Sequence, residues 1–327
     1  MYLWSQGALS DGDHGVKSIK SFLNLYFKGL AMGAADVVPG VSGGTIAFIT
    51  GIYQELLDTI SAFSRIENYQ ILFKQGIKPF WQTMNGNFIV VLFAGISTSI
   101  FSLAKIITYL LENQPELVWS FFFGLIVVSC GLIAKEVQQW NIATVVLFIA
   151  GCAVAYTITV VSPASVEATY PMIFFAGAIA ICAMILPGIS GSFILLLMGM
   201  YGPIMGAIKN LDIIVLMVFT AGTATGLISF SRILSWVYSE HKDFTLALLT
   251  GFLVGSLNAV WPWKHTLEFR INSHGIEVPF LRENVLPGNY LSITGHESHL
   301  LLGSMLMIAA IVMVMALHWI GQKLSDG

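Results

Sequence analysis

Two short stretches set a helix breaker, hydroxyl groups and glycines into the middle of apolar runs: Pro39-Gly40-Val41-Ser42-Gly43-Gly44-Thr45 and Pro187-Gly188-Ile189-Ser190-Gly191-Ser192-Phe193. Proline lacks a backbone donor and disfavours helix in the residue before it, so an incoming helix is predicted to end near Val38 and again near Leu186. Ser42 and Ser190 are natural caps for a new helix, Thr45 and Ser192 add hydroxyls, and the glycines allow close approach. A helix that starts there turns its unsatisfied N–H groups and positive dipole end into the break. That is an anion site without a charged side chain. The competing reading is a kink in a packed helix; the presence of two copies favours the site.

Three charged residues join these as candidates. Lys105 and Arg232 sit inside apolar segments, where a cation is costly unless it has a task or reaches an interface. Each could meet an anionic headgroup arriving from its own side, or simply extend to the nearest polar boundary. Asp36 lies one turn before the first break. It is a candidate for coupling to protons or sodium, with two alternatives: accepting hydrogen bonds from the hairpin tip, or pairing with Lys28. Glu55 and Asp58, at the end of the return arm, read as a solvated face. No metal or cofactor is expected: His296 and His299, a loop pair at helical spacing without a thiol neighbour, are a weak metal signal.

These residues lie in a chain of 327 residues that is 56% apolar and 10% charged, with mean hydropathy +0.80. Soluble domains carry about 25% charged residues. The composition therefore reads as an integral membrane protein, and a net charge of −3 with no basic run argues against nucleic acid. Cys130, Cys152 and Cys182 fall in apolar segments and are expected as free thiols. Residues 1–20 read as a polar tail. A first hairpin spans 21–60, broken at Pro39-Gly40, and helices follow at 87–111, 117–137 and 141–161. A second hairpin spans 171–208, broken at Pro187-Gly188, followed by helices at 212–237, 244–261 and 299–320. Residues 61–86 form a connection, and 264–298 an external loop flanked by Trp261 and Trp263, which read as an interfacial anchor. Hairpin arms of 17 or 18 residues reach roughly 25–27 Å at ~1.5 Å per residue. That is short for a ~30 Å core, so re-entrant hairpins are preferred to full crossings.

The layout repeats. At the offset of 148 that carries Pro39 to Pro187, Gly29 meets Gly177, Ser42 meets Ser190, Gly51 meets Gly199 and Tyr53 meets Tyr201, while Asp36 meets Met184. Past the hairpins the offset is 127, where Gly95 meets Gly222, Lys105 meets Arg232 and Gly124 meets Gly251. The first half thus carries 21 extra residues within 61–86 (148 − 127). Each half holds one hairpin and about three crossings, an odd number, so the second half is expected upside down in an all-α inverted-repeat architecture. Lysines and arginines favour both termini in the cytoplasm.

The segments Asp-Val-Val-Pro-Gly-Val-Ser-Gly-Gly-Thr (36–45) and Leu-Pro-Gly-Ile-Ser-Gly-Ser (186–192) resemble the PopT-type undecaprenyl-phosphate translocases, over about Tyr26 to His318. The resemblance implies a flippase of the bacterial inner membrane, not an enzyme, that returns the lipid carrier undecaprenyl phosphate to the inner leaflet for envelope synthesis. It assigns the phosphate to Ser42, Gly43, Gly44, Thr45, Ser190, Gly191 and Ser192. Polyprenyl-diphosphate phosphatases share a Pro-Gly-x-Ser tip, but there arginine follows the serine and glutamates cluster nearby; here glycine follows Ser42 and Ser190. An ion-coupled carrier of small soluble anions is the other rival.

Overall fold

The computed structural model describes residues 19–38, 41–161, 166–271 and 277–325. Breakers cut the two hairpins into short helices, and uninterrupted apolar runs form long ones. The first hairpin is α1 (Ile19–Val37), α2 (Gly43–Ile49) and α3 (Tyr53–Ala62). Two small helices, α4 (Ile66–Gln75) and α5 (Ile77–Thr83), lead to α6 (Gly86–Asn113), α7 (Pro115–Ala134) and α8 (Ile142–Val160). The second hairpin is α9 (Tyr170–Ile185), α10 (Gly191–Leu197) and α11 (Tyr201–Asn210), followed by α12 (Ile213–Glu240) and α13 (Lys242–Ser256). Strands β1 (Lys264–Ile271) and β2 (Glu277–Asn284) precede α14 (Pro287–Thr294) and α15 (Leu300–Ser325).

Four of the described helices, α6, α7, α8 and α12, are long and apolar enough to cross a bilayer, or up to five spans if α10 and α11 are counted as one bent span. The protein is thus a mostly helical, multi-pass membrane protein. Lengths recur between the halves: α2 and α10 have 7 residues, α3 and α11 have 10, and α6 and α12 have 28.

Without a hydrophobic drive between helices in lipid, close backbone approach through small residues holds them together. The glycines matched by the two offsets make those approaches. A Cβ on Gly29 of α1 would lie 2.3 Å from the Leu92 carbonyl oxygen of α6, and one on Gly95 would lie 2.2 Å from that of Tyr26. In the second half, Gly177 of α9 meets the Phe219 oxygen at 2.5 Å and Gly222 of α12 meets that of Phe174 at 2.0 Å. Gly124 seats α7 on α15, 2.4 Å from the Met307 oxygen, and Gly251 seats α13 on α8, 2.2 Å from that of Phe148. The last two pairings each join one half to the other.

Several expectations need correction. Each return arm is two helices, because Gly51 and Gly199 turn at positive φ (74° and 70°), bending α10 against α11 by 107°. The equivalence of Gly51-Ile52-Tyr53 with Gly199-Met200-Tyr201 carried that signal. Beside the helices of the membrane fold, the loop 264–298 holds an antiparallel β1–β2 ladder, written as alternation in Leu267-Glu268-Phe269-Arg270-Ile271. Trp263 is buried, donates from Nε1 to the Ser298 carbonyl at 2.7 Å and packs with Val285 and Tyr290. It therefore forms a small core under that loop and not an interfacial anchor. Lys264 lies over the Trp119 ring, 5.3 Å from its centroid, and donates to the Ala259 carbonyl. Burial pushes its ammonium pKa down to about 7. Glu55 and Asp58 are not merely solvated: they bridge helices, to Asn85 Nδ2 at 3.0 Å and to the Ser235 hydroxyl respectively. The 1–18 part of the tail lies outside the described residues, as do Pro39 and Gly40.

Adding a methyl group at Gly222 forces α9 and α12 apart, whereas Gly131 has open space at its Cβ position. Gly222→Ala is expected to destabilise the purified protein by about 1–3 kcal/mol through overpacking, read as a lower melting temperature in detergent. Gly131→Ala is expected to leave it unchanged or slightly raised.

Candidate functional site

Within an apolar interior, the last carbonyls of a broken helix and the first N–H groups of the next need partners from the protein itself. The structure meets this need by interlocking the two tips. The Ser42 hydroxyl caps α2, accepting from the Gly44 N–H at 3.1 Å, and also donates to the Met184 carbonyl at the end of α9, 2.8 Å away. Tyr53, where α3 begins, donates its hydroxyl to the neighbouring Ile185 carbonyl at 3.1 Å. In return the Gly188 N–H donates to Thr45 Oγ1 at 2.9 Å. Gly44 is glycine for a spatial reason: a Cβ there would sit 2.7 Å from the Ile185 oxygen. Gly188 has both reasons, with φ at 87° and Ser256 Oγ 2.9 Å from a would-be Cβ.

The two tips are chemically unequal. At the first, Asp36 Oδ1 accepts the Gly43 N–H at 2.6 Å, so a carboxylate already stands at the positive end of α2. Of the alternatives for Asp36, the hydrogen bond to the tip is the one formed; Lys28 instead donates to the Thr50 carbonyl at 2.7 Å. Ser42, Gly43, Gly44 and Thr45 are all buried. At the second tip, Met184 replaces the carboxylate, and Ser190 makes no side-chain capping bond. The Ser190 hydroxyl lies 3.0 Å from that of Ser192, which is exposed, and Gly191 packs against the Ala180 carbonyl. Pro187 and Gly188 form the turn that presents them. Ser190 and Gly191 are buried like the first tip and only Ser192 is exposed; the difference is that the start of α10 has no side-chain cap, while at the first tip Asp36 and Ser42 take the Gly43 and Gly44 N–H groups.

Lys105 and Arg232 are exposed on α6 and α12. Among the described residues, no hydrogen bond or ion pair joins either of them to the tips. Tyr53 is the residue at the interlock that was not singled out beforehand; its match with Tyr201 in the repeat was the available sign. Among the described residues no group of three or more His, Cys, Asp or Glu is gathered as a metal site.

Two broken hairpins meeting inside a bundle of apolar helices define the broad class, a polytopic membrane protein with a paired-break site. Residues 32–278 match the family model described as VCA0040-like, undecaprenyl phosphate translocase-like, and the chain belongs to that family. It is 48% identical over 303 residues to a polyprenyl-phosphate transporter of Vibrio cholerae, covering 93% of this chain and 98% of that one. It is also 35% identical over 255 residues to a polyprenyl-phosphate transporter of Staphylococcus aureus, covering 72% and 84% respectively. No solved structure matches the chain.

The two tips differ in what their serines hold. Ser42→Ala removes a cap and strips a donor from a buried carbonyl, and is expected to lower stability by about 1–3 kcal/mol. Ser190→Ala, whose hydroxyl meets only another hydroxyl among the described contacts, is expected to lose less than about 1 kcal/mol. Thermal melts of the two purified variants test the contrast.

Proposed function

We propose that this protein carries polyprenyl phosphate across the bacterial cytoplasmic membrane, returning undecaprenyl phosphate from the outer to the inner leaflet. The observation that carries the reading is the interlocked pair of helix breaks, one with its first N–H groups taken by Asp36 and Ser42 and one without a side-chain cap. The phosphate is received at Ser190, Gly191 and Ser192, where hydroxyls and main-chain N–H groups can bind an anion without a fixed counter-charge. The polyprenyl tail stays in lipid alongside the helices. Lys105 and Arg232, exposed on equivalent helices, would draw the headgroup in from opposite leaflets. Both termini lie in the cytoplasm, and the halves are inverted copies.

Alternating access follows from the inequality between those copies. Here α3 packs on α12 of the other half, and Asp58 accepts from Ser235 across that seam. The equivalent seam would join α11 to α6, and among the described residues no comparable packing is present there. On α11, Gly202 and Gly206 have open space at their Cβ positions, a face free for close helix packing. In the opposite state α11 closes on α6, α3 leaves α12, and Ser42, Gly43, Gly44 and Thr45 become the phosphate-binding tip. Asp36 must then give up the Gly43 N–H. Protonation of its carboxylate, or a sodium ion taking its charge, would release that donor and couple an ion gradient to transport.

Reconstitution with labelled undecaprenyl phosphate and a leaflet-accessibility assay tests the function. Ser190→Ala is expected to slow translocation roughly ten- to a hundredfold, the loss of a hydrogen bond to a charged group, with folding retained. Release of inorganic phosphate from a polyprenyl diphosphate would instead favour an enzyme, and uptake of soluble anions without lipid-phosphate binding would favour a small-anion carrier. Asp36→Asn is expected to remove dependence on imposed ion gradients; full gradient-dependent transport in that variant refutes coupling through Asp36.

Access is tested by disulfide trapping in a background without Cys130, Cys152 and Cys182. The pair Asp58→Cys with Ser235→Cys is expected to cross-link and to stop transport. Gly206→Cys with Thr108→Cys, the positions matched by the repeat offsets, is expected to cross-link only in protein that is turning over substrate.

A further inference from the structure

The 21 residues inserted within 61–86 have no counterpart in the second half, and they build α4 and α5, in which no residue is buried. On α4, Ile66, Tyr69 and Phe73 recur at i, i+3 and i+7, on one face; they are 76%, 39% and 86% exposed. Ile77 and Trp81, one turn apart on α5, are 74% and 44% exposed. The two helices are held to each other by the Tyr69–Phe80 ring contact, 5.9 Å between centroids, so this apolar surface is not an unfolded remnant. Water is a poor medium for it.

The position of the pair identifies what covers it. Trp81 lies against the start of α6: a Cβ on Gly86 would fall 2.3 Å from its ring, and its Nε1 donates to Asn87 Oδ1 at 2.9 Å. The pair is thereby fixed where a membrane-spanning helix leaves the bilayer. Exposed Trp140, just before α8, and Trp236, near the end of α12, mark the same face. The Asp243 carboxylate, in the first turn of α13, accepts from the Gln138 and Gln139 N–H groups at 3.1 Å each and ties those ends together. Aromatic residues at this level are characteristic of the membrane–water boundary. The charge is one-sided: Arg65, Lys74 and Lys78 stand against Glu67 alone within 61–86. Ile77, Lys78, Trp81, Gln82 and Asn87 line a groove of about 410 Å³. It combines an apolar wall, an ammonium group and side-chain amides, the donors and surface that a phosphodiester headgroup and the top of its acyl chains require.

We infer that α4 and α5 form an interfacial foot that binds anionic phospholipid, with Ile66, Phe73, Ile77 and Trp81 sunk into the acyl boundary and Arg65, Lys74 and Lys78 on the headgroups. The foot is independent of the transported substrate. It anchors the end of the first hairpin, α3, to one leaflet, a constraint the second hairpin lacks because α11 runs into α12 through Leu211 and Asp212 alone.

The test places a nitroxide at Phe73→Cys in the full-length protein lacking its native cysteines, with Gln75→Cys, on the other side of α4, as control. The protein is reconstituted in vesicles of phosphatidylcholine with or without phosphatidylglycerol. With phosphatidylglycerol, the label at 73 is expected to collide with oxygen and to be shielded from an aqueous nickel chelate, while the label at 75 stays accessible to nickel. Lys74→Glu with Lys78→Glu is expected to reduce the lipid-inserted population roughly fivefold per residue changed, from ~1 kcal/mol per cation near an anionic surface. Equal nickel accessibility at 73 and 75 in phosphatidylglycerol vesicles overturns the inference. So does insertion that is the same in both lipids and unaffected by the charge reversals, since the binding would then be apolar only. Retained translocation by a variant whose foot no longer inserts would leave the transport reading intact while bounding what the foot does.

Discussion

A helix that ends inside an apolar medium leaves carbonyl and N–H groups that nothing but the protein can satisfy. In this structure each half solves the problem for the other. The end of α9 presents the Met184 and Ile185 carbonyls, and the first hairpin supplies the Ser42 and Tyr53 hydroxyls that take them. The second tip offers the Gly188 N–H, and Thr45 takes it. Pulling the hairpins apart would break three hydrogen bonds at once, so the tips stay together and the rest of the bundle is arranged around them.

The same constraint explains why small residues gather where they do. Hydroxyl-to-carbonyl bonds across two helices need backbones closer than ordinary side chains allow. Gly44 at the junction, and the glycine pairs between α1 and α6 and between α9 and α12, supply that closeness. The cost of rigid contacts is that motion must occur at the remaining loose seams. The face of α11 bearing Gly202 and Gly206 has open space, whereas its repeat counterpart, α3, packs on α12. Segments of equal length in different surroundings are what the proposed two-state cycle requires.

Asp36 is where the two copies part company chemically. Its carboxylate stabilises the start of α2 as a bound anion would, while the start of α10 has no such side-chain partner. In the proposed cycle a phosphate headgroup and Asp36 would compete for the same donor. That competition connects the coupling proposal to the binding proposal without any further residue.

Much of this was legible in the chain before any coordinates. The helix ends before the two Pro-Gly motifs, the long apolar helices and the cap at Ser42 come from local chemistry: proline cannot donate, glycine tolerates positive φ, and apolar runs of about 20 residues match a bilayer. Ser190, by contrast, stands at the equivalent N-cap position without making a capping bond. The second break in each return arm and the β1–β2 ladder were also written locally, as Gly51 and Gly199 and as a period-two pattern, but within stretches dominated by other signals. What only the tertiary structure decided was partnership. Nothing near Ser42 in sequence says that its hydroxyl will reach Met184, 142 residues away, or that Glu55 will find Asn85 and Asp58 will find Ser235. Such pairings depend on which helices come into contact, and that is set by the sum of many weak backbone approaches along whole helices. A single residue's type can therefore declare its capacity to donate or accept, while the identity of its partner belongs to the packed bundle.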